Sequence, residues 1–213
     1  GVAPRIIYTL PFLSVIDQNH DVFERVLKVT GKEVDFTQLV KHHSLVVPYE
    51  QVSQRSSGLE NEYDFDQAQI ILEGWNSEII CTTFVQLFHT LLTNRNRSLR
   101  KFHRLAGAIL VMDEVQAIPV KYWDLMREML LELASGLKTD IILLTATQPH
   151  IFLPEDGLQP LCRPEFYFSQ MRRLTIFPLL AEKMTIQEFV RSLKIKPEKR
   201  YLFIMNTIES AKQ

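Results

Sequence analysis

The chain has 213 residues, enough for one large α/β domain, or for one domain and part of another. Its 46% hydrophobic and 23% charged residues are ordinary for a soluble globular protein, and a formal net charge of -1 excludes an overall polycation. Any nucleic-acid binding must therefore rest on local patches.

The first residues, Gly1 to Arg5, lead straight into a strand-like Ile6-Ile7-Tyr8, without the charged start and apolar stretch of a signal peptide. This abrupt opening reads as a chain that begins inside a fold. Arg5–Leu10 is the first expected strand. Asp17–Val29 follows as a helix with Val22, Phe23, Val26 and Leu27 on one side, and Gly31 reads as its terminal cap. His42-His43 has no Asp or Glu nearby to complete a metal pattern and reads as structural or surface. Gln51–Gln67 is polar, contains Ser56-Ser57-Gly58 and four acids, and reads as an exposed excursion.

The second expected strand is Glu78–Thr82. Phe84–Leu92 follows it as a helix, with Phe84, Leu87, Phe88 and Leu91 along one face. Thr93–Arg104 is the one concentrated basic stretch. It suits a solvated helix end, or an electrostatic track for a polyanion. Ala108–Asp113 and Asp140–Thr145 are apolar strands on either side of a helix at Tyr122–Leu137, whose stripe is Trp123, Met126, Leu130, Leu133 and Leu137. Strands alternating with such helices imply βαβ units and a parallel sheet.

Gln148–Gln170 carries five prolines or glycines and cannot be helix throughout. Beyond it the pattern predicts a strand at Leu174–Leu180 and a helix at Thr185–Leu193. Thr185 and Glu188 have the spacing of a capping box at that helix start, and a last strand is expected at Arg200–Met205. A domain boundary is placed between residues 172 and 173. The two cysteines, Cys81 and Cys162, lack CxxC spacing and a His neighbour, which argues against a structural zinc site or disulfide framework and suits a reducing cytosol. No apolar run approaches the ~18 residues of a membrane span, so no membrane partner is expected.

Chemistry concentrates where two strands end. Ala108–Met112 is apolar and terminates in Asp113-Glu114-Val115-Gln116, a carboxylate pair delivered to the carboxyl edge of the sheet, where ligands of open α/β folds bind. Two acids there can divide the work of a nucleotide hydrolase, one holding Mg²⁺ beside the phosphates and the other polarising water. One βα unit later, Ile141–Leu144 ends in Thr145-Ala146-Thr147, two hydroxyls that can hydrogen-bond the acidic segment if both strand ends share an edge.

Asp-Glu-Val-Gln followed by Thr-Ala-Thr resembles motifs II and III of superfamily 2 helicases. The longer runs Arg5–Asn19, Ile79–Phe88, Met112–Trp123 and Phe203–Ala211 resemble one branch, the CRISPR-associated helicase-nuclease family of type I interference systems. The resemblance implies a RecA-like sheet flanked by helices, the P-loop NTPase helicase fold. Residues 1–172 would be part of a first lobe, and 173–213 the linker and start of a second lobe with motif IV. It implies ATP and Mg²⁺ as cofactors, Asp113 as the Mg²⁺ ligand, and Glu114 as the activator of water. Gln116, Thr145 and Thr147 would couple hydrolysis to lobe closure. Pro11, Phe12, Ser14 and Gln18 match motif Ia, and Thr82, Thr83 and Gln86 match motif Ib. The family uses both to hold the backbone of a single DNA strand during 3′ to 5′ movement. Free N–H groups at a helix start favour phosphate, although Thr82-Thr83 also suits plain helix capping.

Arg95 and Arg97 would extend that contact. The resemblance further implies a cytoplasmic enzyme of antiviral defence recruited by a guide-RNA surveillance complex. The sequence holds no Gly-x-x-x-x-Gly-Lys-Ser/Thr, because Gly31-Lys32 is followed by Glu33, so the chain by itself is expected not to hydrolyse ATP. Two other readings stay open: another superfamily 2 DNA or RNA helicase, and a non-catalytic module that binds nucleic acid or protein.

Overall fold

The computed structural model describes residues 4–29, 31, 34–43, 70, 73–147, 150–171, 175, 177–178 and 183–212. The expected excursion at Gln51–Gln67, and most of the expected strand at Leu174–Leu180, lie outside them. Five strands form one sheet: β1 (Ile6–Leu10), β2 (Leu39–His42), β3 (Ile79–Thr83), β4 (Ile109–Asp113) and β5 (Asp140–Leu144). They pair in the order β2-β3-β1-β4-β5, and every pair is parallel. The fold is the α/β, RecA-like one.

Parallel pairing requires crossovers, and amphipathic segments supply them after β1, β3 and β4. Helix α1 (Leu13–Lys28) follows β1, α2 (Phe84–Leu92) and α3 (Asn96–Phe102) lie between β3 and β4, and α4 (Trp123–Gly136) joins β4 to β5. The strands alternate between two cores. Ile7, Ile80, Leu110 and Met112 face Trp75, Phe84, Leu87, Leu105, Met126 and Leu130, whereas Tyr8, Leu10 and Cys81 face Ile16, Phe23 and Leu27 of α1. Cys81 is a core residue, and its burial pushes the thiol up to about 12, far from a reactive thiolate.

Four expected strands are present to within about a residue or two at each end, and the helices over Phe84–Leu92 and Tyr122–Leu137 are likewise in place. Gly31 takes the left-handed conformation (φ 78°) and its N–H donates to Lys28 O, so it ends a helix rather than opening one. Strand β2 was not anticipated: its four residues contain only two apolar ones, too short a pattern to stand out.

The chain divides into two compact units, Gly1–Leu158 and Gln159–Gln213. In the second, α5 (Pro164–Gln170), α6 (Ile186–Ser192) and α7 (Ile208–Lys212) are the regular elements among the described residues. The capping box expected at Thr185 is formed: Thr185 Oγ1 accepts from Glu188 N, and Glu188 Oε2 accepts from Thr185 N. The strand expected at Arg200–Met205 is not. Those residues pair with no strand among the described residues, and Leu202 and Ile204 are exposed. An apolar run becomes a strand only when a ladder partner is present.

Within the first unit, Arg127 of α4 forks onto Asp156, with Nε 2.6 Å from Oδ2 and Nη2 against Oδ1; Asp156 Oδ2 also accepts from Leu153 N. This pair ties the segment after β5 to α4. Arg127, and secondarily the Leu153 N–H, hold the Asp156 carboxyl below its ordinary value. A group with a depressed folded-state pKa stabilises the fold above its unfolded pKa of about 3.9, and loses that contribution as pH falls through the lower folded value. Asp156→Asn is therefore expected to lower the melting temperature by a constant amount between pH 6 and 8. The gap to wild type should close below about pH 4. A gap that persists in acid would assign the effect to something other than this pair.

Candidate nucleotide and nucleic-acid site

Register brings the ends of four strands to one edge. Leu10 pairs with Thr83, Thr9 with Met112, and Asp113 with Leu144, so β1, β3, β4 and β5 all end together. At the end of β4 the Asp113 carboxylate is held from two sides. Oδ1 accepts from the Glu114 N–H at 2.9 Å, and Oδ2 accepts from the phenol of Tyr8 on β1. Burial, and then the bond to Asp113, push the Tyr8 phenol far above its ordinary value, which keeps it a donor.

Glu114 has φ 57° and ψ 41°, left-handed backbone that costs a non-glycine residue on the order of 1–2 kcal/mol. The turn starts a 3-10 segment, Val115–Ala117, in which Val115 is buried and Glu114 is exposed. Val115 and Ile118 anchor the turn in the core, and Trp123 Nε1 closes it by donating to Ile118 O at 2.8 Å. The packing of its neighbours maintains the strain at Glu114.

A hydrogen-bonded line links the two strand ends. Gln116 Nε2 donates to Glu114 Oε2, and Gln116 Oε1 accepts from Thr145 Oγ1 at 2.6 Å. Thr145 Oγ1 also lies within hydrogen-bond distance of Thr147 O, so one hydroxyl hydrogen is shared between two acceptors. The Gln116 amide is used at both ends, and this fixes which way it points. Asp113, Glu114, Gln116 and Thr145 are thus brought together, whereas Thr147 joins them through its carbonyl rather than through the hydroxyl that the sequence offered.

The predicted nucleic-acid set is only partly assembled. Phe12 is the N-cap of α1 and is 59% exposed, with no side-chain cap on the helix's first turn. The 16-residue α1 therefore presents uncapped N–H groups at the edge beside Asp113 and Thr83. Pro11 precedes it, and Ser14 and Gln18 are exposed four residues apart on one side of α1. Thr83 caps α2 by accepting from Gln86 N at 3.1 Å, and Thr82 is fully buried, its hydroxyl donating to His42 O at 2.7 Å. Thr82 is thus a strand-pairing residue rather than a surface contact. Gln86 Oε1 accepts from Lys101 Nζ at 3.4 Å, turning that side chain inward.

The basic stretch is not a continuous solvated track. Lys101 is buried over the Trp75 ring, and Arg104 bonds Asn76. Arg95 starts α3 and lines an open groove of about 840 Å³ with Phe88, His89, Tyr122 and Leu125. The nine residues of α2 separate it from Thr83, roughly 13 Å along the helix. Arg95 is therefore not beside the strand ends. The backbone of Arg97 lies within α3. Tyr8 was missed from sequence, although a phenol inside a buried parallel strand needs an acceptor and its neighbour strand ends in a carboxylate.

No family model matches the chain. The CRISPR-associated nuclease/helicase Cas3 of Haloferax volcanii is 33% identical over 153 residues, covering 70% of this chain and 16% of that protein. Among solved structures, T. fusca Cas3 with ATP superposes with a TM-score of 0.54 at 22% identity, and T. fusca Cas3 with 0.51 at 23%. Each match covers 69% of this chain and 16% of the other. The chain thus spans about one sixth of the length of the relatives it matches. Sequence likeness and a shared RecA-like sheet make this chain a Cas3-like helicase segment.

Proposed function

We propose that this chain forms part of an ATP-driven translocase that moves 3′ to 5′ along single-stranded DNA in CRISPR interference, within the cytoplasm and recruited by a guide-RNA surveillance complex. The observation that carries the reading is the line Glu114–Gln116–Thr145, which joins a catalytic carboxylate to a second strand end. A Cas3 structure with ATP among the fold neighbours supports nucleotide as the ligand.

The donor set suits Mg²⁺. Asp113 offers hard carboxylate oxygens at a strand end, each engaged by one donor and each keeping a further lone pair. When bound with ATP, Mg²⁺ would neutralise charge on the transferred phosphoryl group. Asp113 would hold it. Glu114 projects from the strained turn, where its carboxylate can orient a water and take its proton once Gln116 releases Oε2. The uncapped start of α1, with Phe12 and Thr83, would hold phosphates and a base of the strand through sequence-independent contacts. Pro11, Ser14 and Gln18 border this path, whereas Gln86 is turned inward to Lys101. Because the 213 residues contain no phosphate-loop motif, the chain assayed alone is expected to show no ATPase, and the tests below use the intact protein.

Thr145→Val removes the hydroxyl that links Gln116 to Thr147 while keeping the side chain's shape. It is expected to leave basal ATP hydrolysis within about threefold of wild type and to cut DNA stimulation about tenfold, a coupling loss of about 1.4 kcal/mol. Unaltered stimulation would remove the coupling role. The motor reading itself is tested on duplexes with single-stranded tails. Unwinding of 3′-tailed but not 5′-tailed DNA is expected, with RNA tails inactive; preference for RNA tails would favour an RNA helicase.

A further inference from the structure

Asp113 does not stand at its strand end by itself. Tyr8 pairs with Val111 across the β1–β4 ladder, and Asp113, two residues on from Val111, points to the same face. The phenol reaches along that face to Asp113 Oδ2. Its ring is only 9% exposed and meets Phe23 of α1 edge-on, with centroids 5.2 Å apart and planes at 74°. The ring packs in the cluster that also holds Leu10, Ile16 and Cys81. From the other side, the Glu114 N–H fixes Oδ1. Two donors, one anchored in a core and one on the left-handed turn, define the plane of this carboxylate before any ligand arrives.

We propose that Tyr8 is a positioning residue for the Mg²⁺-bearing carboxylate, setting the Asp113 rotamer from the α1 side of the sheet. This rests on the reading of Asp113 as the Mg²⁺ ligand given above. Groups that orient a metal ligand without touching the metal commonly change affinity 10–100-fold when removed, because a freely rotating carboxylate must be ordered at the moment of binding. The competing role is a buried phenol that merely needs an acceptor. That role predicts lost thermal stability without a change in Mg²⁺ dependence.

The experiment uses the intact protein and a fluorescent ATP analogue whose binding is titrated with Mg²⁺. In Tyr8→Phe the half-saturating Mg²⁺ concentration is expected to rise about tenfold, while analogue binding without Mg²⁺ stays at the wild-type level. Melting temperature is followed in parallel. A Mg²⁺ midpoint equal to or below wild type overturns the proposal, whatever happens to the melting temperature. Should Tyr8→Phe not fold, Phe23→Leu loosens the ring without removing its hydroxyl, and is expected to raise the Mg²⁺ midpoint by a smaller factor; an unchanged midpoint there overturns the proposal equally. A wild-type protein whose analogue binding ignores Mg²⁺ would sink the nucleotide reading and this proposal with it. A Mg²⁺-dependent wild type with an unaltered variant would sink only the role of Tyr8.

Discussion

Glu114→Gln in the intact protein is expected to lower ATP turnover by about a thousandfold, equivalent to about 4 kcal/mol of transition-state stabilisation, while nucleotide binding persists. The substitution keeps the size of the side chain and the left-handed turn, and an amide oxygen can still accept from Gln116 Nε2. What it removes is the proton acceptor. Asp113, whose two oxygens are held by Tyr8 and the Glu114 N–H, is untouched, so the Mg²⁺ requirement for binding should be preserved. Single-turnover hydrolysis separates the chemical step from product release. Turnover equal to wild type would show that Glu114 does not activate water, and that the carboxylate pair has another use.

The second large effect is structural. Leu110 sits in β4 between β1 and β5, fully buried in the larger core with Ile7, Met126 and Leu130. Leu110→Ala leaves a cavity lined by two strands and a helix that cannot easily collapse, and is expected to cost roughly 2–5 kcal/mol. Against a total stability of about 5–15 kcal/mol, that is a visible shift in a urea unfolding midpoint. Phe12→Ala provides the contrast. Phe12 is largely exposed, so stability should change by less than about 0.5 kcal/mol, whereas single-strand affinity should fall roughly 5- to 150-fold if a base stacks there. Equal stability losses at the two positions would mean that the core is not where the sheet places it.

Much of the site was legible because it depends on a repeating physical pattern. Ile109–Met112 and Ile141–Leu144 are apolar runs that end in polar residues, and parallel register then leaves little choice about where Asp113 and Thr145 meet. The capping box at Thr185 was legible for the same kind of reason, since spacing alone determines which groups can reach one another. Other features depend on distant partners, which a linear pattern does not contain. Tyr8 reads as one more strand residue until β4 lies beside it. Lys101 reads as a solvated charge until Trp75 and Gln86 enclose it. Thr82 and Thr83 look equivalent in sequence and both are buried, yet one hydroxyl donates to His42 O beside β2 and the other caps α2. Arg200–Met205 has the composition of a strand, but composition cannot supply a ladder partner.

The proposed nucleotide-hydrolysing centre is the edge formed by Asp113, Glu114, Gln116 and Thr145, coupled to a strand-gripping surface. Its most direct test is the steady-state rate of Mg²⁺-dependent ATP hydrolysis by the intact protein, measured with and without single-stranded DNA. Hydrolysis that rises at least tenfold on addition of single-stranded DNA is the predicted result. Hydrolysis that is absent under both conditions, or the same with and without the strand, would contradict it.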